Sequence, residues 1–346
     1  MSTRVDVALR GVTTNTPVRR RGGAGPSDDG HVVLDGHAAA LPVVADSPYS
    51  LAGGRLLFDG VDTGMAVDAV ARPRFYDLTT ADGVRYDQLA RLHGDGVLAT
   101  TAVQTCMRYD PATRCRFCAI EESLRAGATT AVKTPAQLAE VAAAAVRLDG
   151  VRQMVITTGT STGRDRGARH LARCVLAIKA AVPRLPVQVQ CEPPEDLTAL
   201  HELRAAGADA IGIHVESLDD AVRSRWMPGK ATVPLSAYWQ AWREAVAVFG
   251  RNRVSTYLLV GLGEDADQLV AGAAELIDAG VYPFVVPFRP MAGTLAAAEP
   301  GPNAALVVDV TSRVAQLLRA AGMRGADQGA GCAACGGCSA LSGVGG

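Results

Sequence analysis

Cys106-Met-Arg-Tyr-Asp-Pro-Ala-Thr-Arg-Cys115-Arg-Phe-Cys118 follows an apolar run from Val97 to Val103. An apolar run of that length, β-branched and bounded by polar residues, predicts a buried strand, and the three cysteines then sit on the loop that leaves it. Thiolates are soft ligands that select iron–sulfur clusters or zinc. Three of them, rather than four, leave one iron of a four-iron cluster open to a small molecule. A zinc site or reduced structural thiols are the alternatives that the triplet alone leaves standing.

A second triplet, Cys332-Ala-Ala-Cys335-Gly-Gly-Cys338, lies near the end of the chain. Its C-x2-C-x2-C spacing resembles the ferredoxin run that ligates three irons. A fourth ligand would come from Ser339, Ser342, substrate or another residue. The glycines permit a tight fold around a cluster and equally permit disorder. Having few apolar residues, this tail is expected to be poorly ordered without metal; the competing reading is a flexible tail with reactive thiols. Six of the eight cysteines thus form two tight groups, the usage of a reducing compartment, and a cytoplasmic location is expected. Cys174 reads as helix packing, and Cys191 as core packing at a strand end.

Outward from Cys106 the chain alternates regularly. Strands are expected at Val97–Val103, Gln153–Thr157, Val187–Gln190, Ala210–His214, Val254–Val260 and Pro283–Pro287. Helical patterns follow at Pro135–Leu148, Gly167–Val182, Glu195–Ala206, Pro234–Phe249, Asp265–Ala279 and Asn303–Ala321. Six βα units with apolar strands predict a parallel sheet covered by helices, short of the eight units of a closed barrel. The predicted fold is therefore α/β, an open (β/α)6 partial barrel over residues 96–322. Residues 1–95 read as a small β-rich cap and 323–346 as a Gly/Cys-rich tail. In the cap, strand-like pieces stand at Val5–Leu9, His31–Leu34, Arg55–Phe58 and Arg74–Leu78. Asp59-Gly60 and Asp82-Gly83 signal hairpins, Arg19 to Gly30 reads as a loop, and Tyr86 to His93 as a short helix. His31, His37 and His93 are expected to be structural.

Composition excludes more than it selects. Lys+Arg 34 against Asp+Glu 35 gives a formal charge of −1, so nucleic acid is not an expected partner. Only three of the 34 basic residues are lysines: Lys133, Lys179 and Lys230. No apolar run approaches the roughly 20 residues that span a bilayer, and no membrane association is expected. The N-terminus lacks a secretory pattern.

Arg116-Phe117-Cys118 resembles the C-x-aromatic-C ending of radical S-adenosylmethionine (SAM) enzymes, placed after the first strand of a six-unit barrel as in that family. Met154-Val-Ile-Thr-Thr158-Gly159 is similar to the strand-2 motif that holds the SAM amino group. His214-Val-Glu216-Ser217 resembles the strand-4 motif of lipoyl synthases, followed by Arg223, Arg225 and Pro228-Gly229. Leu258-Leu-Val-Gly261-Leu-Gly263-Glu264 is similar to the strand-5 motif, and Val286 to Thr294 to strand 6 of the biotin and lipoyl synthase group. The resemblance covers about residues 96–295. Two features depart from it: the first spacing is C-x8-C where C-x3-C is usual, and no cysteine precedes Cys106, unlike lipoyl synthases. The longer spacing resembles a radical SAM family encoded beside a nitrilase in bacterial gene clusters. Asp110-Pro111 can turn the longer loop back.

The resemblance implies a [4Fe–4S] cluster on Cys106, Cys115 and Cys118, with SAM as cofactor. Around it Phe117, Thr157, Thr158, Gly159, Glu216, Arg225 and Gly261 would bind SAM. Glu216 would accept from the ribose hydroxyls or the ammonium, Arg225 or Arg223 would clamp the carboxylate, and Gly261 and Gly263 would admit adenine. Each has an ordinary alternative: a loop cap, an acid at a helix N-terminus, a solvated arginine, a tight turn. Gln190 and Glu192 end strand 3 and would face substrate or SAM. The implied activity is reductive cleavage of SAM to a 5′-deoxyadenosyl radical acting on a small molecule, with an electron donor such as flavodoxin or ferredoxin. Cys332, Cys335 and Cys338 would hold an auxiliary iron–sulfur cluster. A non-catalytic iron–sulfur or zinc protein, an electron carrier or redox sensor, is the reading from another class.

Overall fold

The computed structural model describes residues 2–13, 31–94 and 96–341. Helix α1 spans Ser2–Arg10. Strands β1 (His31–Leu34), β2 (His37–Ala40), β3 (Tyr49–Ala52), β4 (Arg55–Phe58) and β5 (Val61–Ala69) follow. They form one antiparallel sheet in the order β2-β1-β5-β4-β3. Asp35-Gly36 and Asp59-Gly60 carry positive φ at both positions, as two-residue hairpins with right-handed strand twist require. The loop expected over Arg19–Gly30 lies outside the described residues.

After helix α2 (Tyr86–Leu89), strands β6 (Arg91–His93) and β7 (Val97–Thr101) form an antiparallel pair. Helices α3 (Glu122–Arg125) and α4 (Pro135–Asp149) lead to β8 (Gln153–Thr157), α5 (Ala168–Ala181), β9 (Val187–Gln190), α6 (Thr198–Ala205) and β10 (Ala210–Gly212). Then come α7 (Asp220–Trp226), α8 (Pro228–Ala231), α9 (Leu235–Phe249), β11 (Val254–Val260), α10 (Ala266–Asp278), β12 (Val281–Pro287), α11 (Ala304–Ala320) and α12 (Cys332–Cys335). The seven-stranded sheet runs β12-β11-β10-β9-β8-β7-β6, and every neighbour pair from β7 to β12 is parallel. This is the partial barrel expected, with β6 as an antiparallel edge. Its helices start on caps written in the sequence. Thr134 and Gln137 form a reciprocal capping box at α4, Asp265 and Gln268 another at α10, and Asp219 accepts from two N–H groups of α7.

Four local expectations are corrected. Val5–Leu9 is helical, not extended. Val5 and Leu9, one turn apart, pack on the main core, while Val7 on the opposite face packs on the core of the antiparallel sheet. A helix with two apolar faces mimics strand alternation. Arg74–Asp77 is a 3-10 turn, held because the Asp149 carboxylate accepts from the N–H groups of Arg74 (2.8 Å) and Phe75 (3.0 Å). Tyr86–His93 is one helical turn followed by a strand, and Asp82-Gly83 closes only an isolated bridge between Thr79 and Arg85.

Residues 325–341 fold back and pack into the half-barrel. Gln328 and Ala330 are fully buried. The anchor is polar: Gly331 N–H donates to Gln153 Oε1 (2.7 Å), Arg253 Nη1 to the Gln328 carbonyl (2.6 Å) and Cys332 N–H to Gln188 Oε1 (3.4 Å). The inward positions of β9 are glutamines, Gln188 and Gln190, which only a hydrogen-bonding filler can satisfy. Any side chain at Gly331 would collide with Gln188. The antiparallel sheet closes over this plug: Ala40 N–H donates to the Gly337 carbonyl (2.8 Å), and Arg289 Nη1 donates to the Ala40 carbonyl (2.9 Å).

Candidate metal centre and binding cavity

The barrel interior holds a cavity of about 420 Å³, and all six triplet cysteines line it. The Cys106 loop reaches it by docking on three neighbours. Gly159 N–H donates to the Val103 carbonyl and Met107 N–H to the Thr160 carbonyl, both at 2.8 Å. The loop passes so close to Gly159 that an added methyl would collide with the Thr105 carbonyl oxygen. The residues between Cys106 and Cys115 turn at Asp110, whose carbonyl accepts from Thr113 and Arg114. The turn then seats on α8, with Gly229 N–H donating to the Thr113 carbonyl at 2.8 Å. Arg116 N–H donates to the Trp226 carbonyl (2.8 Å), which fixes the far end.

Burial sets the thiol chemistry. It pushes Cys115 well above the ordinary thiol range, with Lys230 opposing, and pushes Cys118 up to about 11. Among the described residues no three Cys, His, Asp or Glu side chains converge tightly enough to grip one metal ion.

Glu216 stands where β10 ends, in the left-handed region at φ 63°. That conformation is strained for a non-glycine residue. It is held because Glu216 bonds both ways to β11: its N–H donates to the Tyr257 carbonyl (3.1 Å) and its carbonyl accepts from Leu259 N–H (2.8 Å). The carboxylate is ion-paired to Lys230 Nζ, both ends largely buried. Burial, the largest single influence, lowers the Lys230 ammonium, but Glu216, Tyr238 and Cys115 together outweigh it and hold it above its ordinary value. A second buried pair, Arg108 with Glu192, is bidentate at 2.9 and 2.5 Å, and Thr160 Oγ1 donates to the same carboxylate at 2.9 Å.

Of the residues expected around SAM, the structure brings Phe117, Thr157, Thr158, Gly159 and Glu216 to the cavity wall. Gln190 and Glu192 also line it. Arg225 it does not: that side chain is exposed on α7, 5.6 Å over the Trp226 ring. Arg223 is 1% exposed and bound to Asp220 and to the Val233 carbonyl, away from the cavity. Neither arginine lines the cavity, and the cation that reaches Glu216 is Lys230, one helix later. Gly261 is not among the lining residues either. Its φ of 108° and its approach to Pro302, 2.7 Å from an added Cβ, explain the glycine by packing.

Sequence reasoning missed Lys133, Arg289 and Tyr257. Lys133 is 2% exposed, lines the cavity, donates to the Thr101 carbonyl at 2.6 Å, and burial lowers it to about 7. The signal was present: two of the chain's three lysines line this cavity. Around the second triplet, Tyr257 Oη donates to Cys332 Sγ at 2.8 Å and Gln190 Nε2 to the same sulfur at 3.2 Å. Arg289 is buried beside Cys338, which offsets part of the lowering that burial imposes. Ser339 Oγ donates to the Val285 carbonyl and accepts from Leu341 N–H (3.2 Å), so it is committed away from a fourth-ligand role. Ser342 lies outside the described residues. His31 and His93, stacked at 4.7 Å, line the cavity from the cap side.

Residues 111–277 match the family model described as the Radical SAM superfamily. Bacteriochlorophyllide c C-7(1)-hydroxylase of Chlorobaculum limnaeum is 30% identical over 135 residues, 38% of this chain and 33% of the relative. Mitochondrial lipoyl synthase of Danio rerio is 28% identical over 210 residues, 59% and 50% of the two chains. Lipoyl synthase of Halorhodospira halophila is 26% identical over 277 residues, 70% and 79%. The chain thus spans a third to a half of the first two relatives. Among solved structures, a radical SAM methyltransferase from Sphaerobacter thermophilus aligns with a TM-score of 0.49 at 19% identity, covering 71% of this chain and 70% of that one.

Proposed function

We propose, for a chain that carries a radical SAM superfamily domain and is an enzyme, that Cys106, Cys115 and Cys118 hold a [4Fe–4S] cluster and that SAM binds beside it. The observation that carries this reading is the convergence on one cavity of three thiols from the β7 loop, Thr158 from the end of β8 and Glu216 from the end of β10. The donor set fits the group. Soft thiolates suit iron and sulfide, and three thiols can each take one iron of a cluster. When bound, such a cluster supplies the electron that cleaves SAM to a 5′-deoxyadenosyl radical, which then acts on a small molecule.

The chain's own residues divide the remaining work. Lys230 takes the place the resemblance gives to Arg225: it offsets Glu216 and presents a cation beside Cys115 for a carboxylate. Glu216 accepts from ribose hydroxyls or an ammonium. Thr157, Thr158 and Gly159 line the cavity wall near the first triplet with hydroxyls and open backbone. Phe117, packed with Trp226, Met227, Leu259 and Phe288, keeps water from that end. Cys332, Cys335 and Cys338 hold an auxiliary cluster on the same cavity. Residues 1–95 act as a cap, 96–322 as the barrel and 323–346 as the plug that carries that cluster. Electrons come from a carrier such as flavodoxin or ferredoxin. No helix among the described residues is long and apolar enough to cross a membrane.

Anaerobic reconstitution with iron, sulfide, SAM and dithionite tests the reading. About four irons per triplet and release of 5′-deoxyadenosine are expected. A Cys106/Cys115/Cys118 alanine variant that still releases 5′-deoxyadenosine would overturn it.

A further inference from the structure

Cys332 differs from its two partners in what reaches its sulfur. Tyr257 Oη and Gln190 Nε2 both donate to it, at 2.8 and 3.2 Å. Among the described residues neither Cys335 nor Cys338 receives a side-chain hydrogen bond. Both donors are fixed in place. The Tyr257 ring stacks on His214 with centroids 3.9 Å apart and 10° between planes. The other Gln190 amide hydrogen goes to Gln188 Oε1 at 2.9 Å, which orients the group. Arg289 stands beside Cys338, and among the described residues no carboxylate lies in ion-pair range of it.

A sulfur that ligates iron gains negative charge when its cluster takes up an electron. Hydrogen bonds to that sulfur therefore strengthen on reduction and favour the reduced state. We infer that Tyr257 and Gln190 are positioning residues of the second metal centre, whose hydrogen bonds to Cys332 Sγ raise the reduction potential of an iron–sulfur cluster held by Cys332, Cys335 and Cys338. The inference rests on the reading that the tail triplet holds a cluster. The step concerned is one-electron uptake by that cluster, with dithionite as reductant in the titration. Arg289 adds a cation of the same effect, so the tail centre is poised to accept an electron.

The test is a redox titration of the reconstituted full chain, followed by electron paramagnetic resonance. The tail signal is defined as the one missing from a Cys332/Cys335/Cys338 alanine variant. Tyr257→Phe and Gln190→Leu should each move that signal's midpoint to more negative potential, and together further. Iron content and the other cluster's signal should stay unchanged. Unmoved midpoints in both variants would overturn the inference, as would loss of tail iron in Tyr257→Phe, which would make the tyrosine a structural support. If the triple alanine variant keeps the wild-type iron content, the tail-cluster reading fails first and takes the inference with it.

Discussion

Lys133 and the Glu216–Lys230 pair show how burial turns ordinary residues into chemical ones. The Lys133 ammonium is lowered from 10.5 to about 7 by desolvation alone. Between those values the unfolded chain binds a proton that the folded chain does not, so stability rises with pH through that window. Denaturant midpoints measured from pH 7 to 10 should climb for the wild type and flatten in Lys133→Met. At Glu216 the loss of one charge leaves the other buried. Glu216→Gln or Lys230→Met alone should each cost about 3–5 kcal/mol, while the double variant should cost less than the sum. Urea melts of the four proteins check this, and equal additivity would dissolve the pair. Gly159→Ala asks a steric question. Its methyl meets the Thr105 carbonyl, so the Cys106 loop must move, and the first triplet should lose its iron while the fold, read by circular dichroism, persists.

Elements were legible in proportion to how local their causes are. The expected bounds of Gln153–Thr157, Val187–Gln190 and Val254–Val260 match β8, β9 and β11, because β-branched residues recur along each of them. The antiparallel sheet was read only in part. β5 turns Thr63, Met65 and Val67 inward against Asp62, Gly64 and Asp68, but it is mostly exposed, and its two aspartates and glycine are poor strand formers that hide the alternation. The cysteines, Thr158 and Glu216 were legible as types at strand ends, since the topology sends those ends to one place. Lys230 was not, because its arrival depends on how α7 and α8 bend, which no spacing encodes. The same bend receives the long cysteine loop. Deleting Asp110–Arg114 to restore the short spacing should therefore fail: the deletion removes the Thr113–Gly229 contact, and reconstitution should give about four fewer irons per chain. Retention of full iron would mean that the docking on α8 is dispensable.

At the scale of the molecule the tail is a filler of a polar interior, and removing it exposes more than thiols. Truncation before Gly325 removes the tail partners of Gln153, Gln188 and Gln190, and at about 0.5–1.5 kcal/mol for each hydrogen bond lost the barrel should melt at lower denaturant. The triple alanine variant keeps the backbone contacts and should retain most of that stability, so the two proteins separate filling from metal binding. The arrangement also imposes a sequence in time. A ribosome makes β6 to β12 before it makes residues 325–341, so the growing chain holds a half-barrel whose amide-lined hollow faces water. Residues 325–341 thus act as a stopper that is made after the vessel it closes.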